Sequence, residues 1–169
     1  MRKTIIASNG FSPDLMKTRP AWLDLPRIAR VEISSEDARY PVEQALVESA
    51  PHELQGLYTG TSGWRAEVLG PQTLSLRFDE PQKVKRVLLH FREAEQERSQ
   101  EFTLHATMAD GRTQEIVRQQ WSFSPRGSTE EQENYSVNLE DVTTLTLWID
   151  PDRGRDRYRA TLEALRVEA

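Results

Sequence analysis

From residue 29 onward, apolar and polar residues alternate with period two. Val31 and Ile33 alternate with Glu32 and Ser34, and Leu74, Leu76 and Phe78 with Ser75 and Arg77. Val87, Leu89 and Phe91 share one phase, as do Phe102, Leu104 and Ala106, and Val117, Trp121 and Phe123. The pattern returns in Tyr135, Val137 and Leu139 and in Leu145, Leu147 and Ile149. Such alternation marks strands that bury one face. Strands recurring every 10–15 residues with little helix between them predict an antiparallel sandwich or barrel. Two stretches, 41–47 and the polar run 92–99, fit short helices.

The strands read at 72–79, 83–91, 101–109, 112–124, 134–139, 144–150 and 159–167. If each reverses the one before, the connections 80–82, 110–111 and 140–143 fall at one end. They are short, and Asp110-Gly111 carries a hairpin signal, since glycine supplies positive φ. The connections 92–100, 125–133 and 151–158 fall at the other end; they are polar and eight or nine residues long each. Binding residues concentrate on such loops when a rigid scaffold holds them. The long segment 37–62 is not placed by this parity.

Composition narrows the class. At 169 residues the chain is one domain, or one domain with an arm. With 37% hydrophobic residues it is too apolar for a disordered chain. A net charge of −5 argues against a nucleic-acid partner. The absence of cysteine excludes disulfides, thiol catalysis and thiolate-bound metal. No run of 18 apolar residues occurs, so no membrane partner is expected. The first ten residues hold too short an apolar run for a signal peptide, which points to the cytoplasm, or to secretion if a leader precedes them.

Residues 1–28 differ from the rest: they carry +3 against −8 for the remainder, and Pro13, Pro20 and Pro26 interrupt helix. Phe11, Leu15, Trp22, Leu23 and Leu25 make them an arm that is expected to be ordered and docked. It packs either on its own domain, 29–169, or on a second copy as a homodimer contact.

Order and spacing of several segments resemble the galactose-binding-domain-like family, the jelly-roll sandwich of discoidin and coagulation-factor type C domains and of many carbohydrate-binding modules. The segments are Ala29–Ser35, Tyr40-Pro-Val-Glu-Gln-Ala-Leu46, Gly63-Trp-Arg-Ala66, Pro71–Phe78, Val84–Arg92, Phe102–Gly111 and Ala160–Val167. The resemblance covers about 29–168 and implies an all-β antiparallel jelly roll preceded by an irregular arm. It implies a non-catalytic binding module whose partner is a carbohydrate, or alternatively a protein. It also marks Arg92, just after a strand, as the place where sugar-binding members put a ligand arginine. Many members hold a structural calcium. Here the loop from Val47-Glu48-Ser49 lacks the family's acidic run, and Ala164 stands where the closing glutamate is expected, with Glu163 one residue off. One residue turns a strand side chain to the other face, so no metal or other cofactor is expected.

The candidate chemistry lies on the long-looped end. Arg92, Arg126, Arg155, Arg157 and Tyr158 form the predicted ligand-binding rim: guanidinium forks suit hydroxyls and carboxylates, and a tyrosine ring offers a stacking face. Arg153, Arg155, Arg157 and Arg159 would share one side of an extended 150–159 segment, although Asp150, Asp152 and Asp156 are interleaved to neutralise them. His90 and His105, read as neighbouring-strand residues, are either a metal pair or ordinary sheet-face residues; His52 is the third imidazole. Gly60-Thr-Ser-Gly63 lacks the spacing of a serine-nucleophile elbow and reads as a turn. Trp121 reads as core. Trp148 lies in the opposite phase, where the arm's Trp22 and leucines are expected to cover it. No catalytic set is legible.

Overall fold

A computed structural model describes residues 21–48 and 62–169. Chain order is α1 (Leu25–Ile28), β1 (Ala29–Ile33), α2 (Glu43–Leu46), β2 (Trp64–Arg65), β3 (Gln72–Arg92), β4 (Arg98–Met108), β5 (Thr113–Phe123), β6 (Glu130–Asp150), β7 (Thr161–Leu162) and β8 (Ala164–Glu168). All pairing between these strands is antiparallel.

Two strands of 21 residues dominate. β3 and β6 pair with each other from Gln72↔Ile149 to Arg92↔Glu130. The segments read as separate strands at 72–79 and 83–91 are therefore one, and so are those at 134–139 and 144–150. Their joints are bends. The register slips between Arg77 and Arg86, where Asp79, Glu80 and Pro81 are exposed and proline offers no ladder donor. Opposite them Asp141 adopts φ 55°, a left-handed conformation that aspartate tolerates better than most residues. Burial phase records the bend: Leu74, Leu76, Phe78 and Val84 are buried at even numbers, Val87, Leu89 and Phe91 at odd ones.

Beyond the bend the ribbon forms a second layer. In one layer β1, residues 72–77, residues 144–150, β4 and β5 lie side by side. In the other, β8, residues 84–92 and residues 130–139 do so. Phe91 of the second layer meets Phe102 of the first with ring centroids 4.9 Å apart. A single apolar core joins the inner faces of both layers, as a two-layer sandwich requires.

Helical expectations are met once and missed once. Residues 41–47 supply α2, but 92–99 holds no helix: Arg92 ends β3, 93–97 is a loop, and β4 starts at Arg98, where Arg98 and Gln100 continue the inner phase of Phe102. Among the described residues, one helix was not expected from the sequence: α1, a single turn. Pro26 sits at its start, where a missing N–H costs no hydrogen bond.

Residues 22–25 lie along β8. Trp22 bridges Glu168, the Leu23 amide donates to the Val167 carbonyl at 2.8 Å, and Leu25 is buried. Trp22 therefore does not cover Trp148, which lies on the outer face of the other layer, beside Thr73 and Thr103. The arm's residues 1–20 lie outside the described residues. Arg166 of β8 is buried and donates to the carbonyls of Ala45 and Val47, both at 2.7 Å. It thereby satisfies the open C-terminal end of α2. Desolvation lowers its pKa from the usual guanidinium range.

Two outcomes are expected of the packing. Phe102→Ala lowers unfolding free energy by about 3–5 kcal/mol, read by urea denaturation, through the lost ring and its cavity. Arg166→Met strands the buried Ala45 carbonyl and costs about 1–3 kcal/mol, read the same way.

Candidate functional site

The short connections do gather at one end: the Ala109 amide donates to the Asp141 carbonyl, and the Thr143 hydroxyl to the Thr107 carbonyl. The β4–β5 turn closes through Gly111, at φ 88°, whose amide donates to Met108. The Arg112 amide and side chain hold the Asp110 carboxyl below its usual range. The long loops meet at the opposite end. There the Glu93 amide donates to the Thr129 carbonyl, and the Arg153 amide to Ser99.

One buried guanidinium organises that end. The Arg98 side chain is fully buried. It donates to Glu93 Oε1 (2.9 Å), the Pro151 carbonyl (2.8 Å), Gln100 Oε1 (3.2 Å) and Thr161 Oγ1 (3.3 Å), and it lies over the Phe123 ring. Arg98 thus ties the 93–97 loop, the 151–160 segment and β7 to the β4–β5 pair. The sequence reading missed it. Its signal is the inward phase, 98, 100, 102, running back from Phe102.

Around Arg98 lies an open cavity of about 640 Å³, lined by Ser99, Ser122, Phe123, Arg153, Arg155, Arg157 and Tyr158 among others. Arg157 donates to Asp152 at 2.7 Å, which raises its pKa further and keeps it charged, and its guanidinium lies 5.3 Å from the Tyr158 ring centre. Arg153 reaches Glu101 Oε2 and Gln120 Oε1, both at 3.2 Å. Arg155 is exposed and has no side-chain partner among the described residues. The arginine comb is therefore divided: Arg153 and Arg157 are ion-paired, Arg159 reaches Asp37 at 3.7 Å, and Arg155 stands alone.

Of the five predicted rim residues, Arg155, Arg157 and Tyr158 share this cavity. Arg92 does not. It lines a second hollow of about 460 Å³, with Tyr40, Trp64, Arg65 and Glu163. The Glu93–Arg98 pair contributes one residue to each hollow. Arg126 lines neither; it is exposed on a turn closed by the Gly127 amide on Ser124 and the Ser124 amide on Ser128. Beside the second hollow, Asp37 accepts from Arg39 and Arg65, and these donors hold its carboxyl far below the usual range. Arg65 also stacks on Tyr40, 4.0 Å from the ring centre. Gly63 admits this arrangement: at φ 74°, an added Cβ would come within 2.6 Å of the Leu162 carbonyl.

His90 and His105 are not neighbours. β3 residues 84–92 pair with β8 and β6, whereas β4 pairs with β5 and β6, so the two rings sit on opposite outer faces. Each faces a glutamate instead, Glu130 and Glu115. His52, Gly60 and the loop beyond Glu48 lie outside the described residues.

A second polar group lies between β5 and β6, half-buried except at Glu131, which is buried. Gln119 Nε2 donates to Glu131 Oε1 (3.0 Å) and Glu133 Oε1 (2.8 Å), and Tyr135 donates to Gln119 Oε1 (2.6 Å). Glu131 is 1% exposed, and its Oε2 has no hydrogen-bond partner among the described residues; Gln100 Nε2 and Trp121 Nε1 also lack one there. Burial, with the Glu133 charge second, pushes the Glu131 carboxyl up to about 7.

No protein-family model matches the chain, and no curated protein matches it in sequence. Solved structures do match. Clostridium perfringens CpGH89CBM32-4, in complex with GlcNAc-α-1,4-galactose, aligns at TM-score 0.59 and 13% identity over 88% of this chain and 94% of its own. The family 32 carbohydrate-binding module of C. perfringens NanJ, in complex with galactose, aligns at 0.54 and 14%, over 88% and 98%. A histidine mutant of the lectin-binding domain of lectinolysin, complexed with Lewis b, aligns at 0.56 and 13%, over 86% and 95%. The fold is the galactose-binding-domain-like jelly roll. Within this jelly roll the long-looped end carries both hollows, and the buried Arg98 stands between them.

Glu131 yields a pH prediction. Its folded pKa lies above its ordinary 4.5, so its contribution is complete below pH 4.5 and is lost as pH rises through about 7. Glu131→Gln is expected to remove that loss and to gain about 1–3 kcal/mol at pH 8 relative to the parent. Urea melts at pH 5 and pH 8 read the difference.

Proposed function

We propose that this domain is a non-catalytic carbohydrate-binding module that takes its ligand on the long-looped end. The observation that carries the reading is the open cavity holding Arg155, Arg157 and Tyr158 side by side. Arg155 brings an uncommitted guanidinium fork, which donates paired hydrogen bonds to adjacent hydroxyls. Tyr158 brings an aromatic ring, which packs on the apolar face of a sugar. Ser99 and Ser122, hydrogen-bonded to each other at 2.9 Å, line the same wall. The fold supports the reading, since the similar solved structures include carbohydrate-binding modules and a lectin-binding domain with bound saccharides.

Arg92 and Arg126 extend the rim on either side. Arg92, beside Tyr40 and Trp64, serves as a secondary contact rather than as the centre of the site.

A glycan array followed by calorimetry on its best saccharide tests the reading. Arg155→Ala is expected to weaken binding at least about tenfold, a loss of about 1.4 kcal/mol, with the melting temperature unchanged because the side chain is exposed. Asp110→Ala, at the far end, is expected to bind as the parent does. Normal binding by Arg155→Ala moves the site elsewhere. Absence of any saccharide ligand, together with a stable complex with a protein, replaces the reading with a protein-interaction domain.

A further inference from the structure

The protein is acidic, with a net charge of −5, yet the cavity is not. Its lining holds four guanidiniums, Arg98, Arg153, Arg155 and Arg157, against two carboxylates, Glu97 and Asp152. The carboxylates that pair Arg98 and Arg153 are Glu93 and Glu101, and neither belongs to the lining. Arg98 is fully buried with its donors taken, so the accessible guanidiniums on the wall are those of Arg153, Arg155 and Arg157. Asp152 is nearly buried and is taken by Arg157. The Arg155 side chain has no partner among the described residues; only its amide is engaged, donating to the Asp152 carbonyl. The lining is mixed in sign, with Glu97 exposed on it as well, but guanidiniums are in excess, and a concave surface with a cationic excess concentrates ligands of the opposite sign.

We infer that the cavity selects a carboxylate-bearing saccharide, a uronic-acid type of unit, over its neutral counterparts, with Arg155 as the residue that reads the carboxylate. The inference rests on the carbohydrate reading above and specifies its ligand class. A planar guanidinium with a free edge matches a carboxylate with two parallel hydrogen bonds. Arg157, already anchored on Asp152, stays beside the Tyr158 ring and fixes the place of the sugar's apolar face. Lysine at 155 would keep the charge and lose the fork.

The test compares an oligogalacturonate, its fully methyl-esterified form and a neutral galactan oligomer of the same length, titrated calorimetrically into the full chain. The acid is expected to bind at least about tenfold more tightly than the ester at low salt, and the margin is expected to shrink as salt rises. Arg155→Glu is expected to abolish the preference, Arg155→Lys to retain only part of it, and Arg112→Ala, at the far end, to leave it intact. Circular dichroism and thermal melts confirm that the variants are folded. Equal binding of acid and ester overturns this inference and leaves the carbohydrate reading standing. Preference for the neutral galactan overturns it in the same way. Failure of all three, with no ligand on a glycan array, overturns both. Binding of poly-glutamate as tight as that of the oligogalacturonate overturns the saccharide specificity and assigns the cavity to acidic polypeptide.

Discussion

The architecture depends on one hydrogen-bonded ribbon. β3 and β6 remain paired over their length, and each takes part in both layers. β1 and β8 attach to this ribbon through β3 and β4 through β6, and β5 joins it only by way of β4. Because the layers are made of the same two covalent segments, they cannot slide apart without breaking the ribbon. The position of the bend therefore fixes which residues face each other across the core, as Phe91 and Phe102 do. It also fixes which connections reach which end, and so brings 93–97, 124–129 and 151–160 together.

Much of this could be read from the chain. The period-two phases identified the inner residues, and loop parity sorted the two ends correctly even though two of its supposed turns are bends within continuous strands. An arch between layers and a hairpin within one both reverse the chain, so the parity survives the error. The phase change between Val84 and Val87 is visible in the sequence, but alternation alone does not say whether a slip marks a bulge or a new strand. The histidine pair failed for the same reason: adjacency along the chain does not give adjacency in a sheet whose order is β1-β3-β6-β4-β5.

The site was legible in outline only. Charge and loop length singled out the 150–159 segment, but which arginine is left free depends on partners distant in sequence: Glu101 for Arg153 and Asp37 for Arg159. Arg98 escaped notice because a buried arginine looks like any other polar residue of a charged run. Its role appears only when Glu93, Gln100, Pro151 and Thr161 are seen around it. Glu131 is similar: 125–133 reads as a polar connection, whereas β6 already starts at Glu130 and carries Glu131 into the interior with its second oxygen unpartnered among the described residues.

The short bridge between residues 22–23 and the end of β8 bears on how the molecule meets its own kind. A strand at the border of a sheet displays unsatisfied amides and carbonyls that invite a second chain. Here the Val167 carbonyl is already taken by Leu23, and Trp22 lies beside Glu168. The border at β5 pairs with no further strand among the described residues but carries Glu115 and Arg118, charged groups that discourage stacking of like chains. Trimming the chain past Leu23 would uncover a template for self-association on the side of the sandwich away from β5, and the protein's colloidal behaviour would then depend on whatever occupies that border.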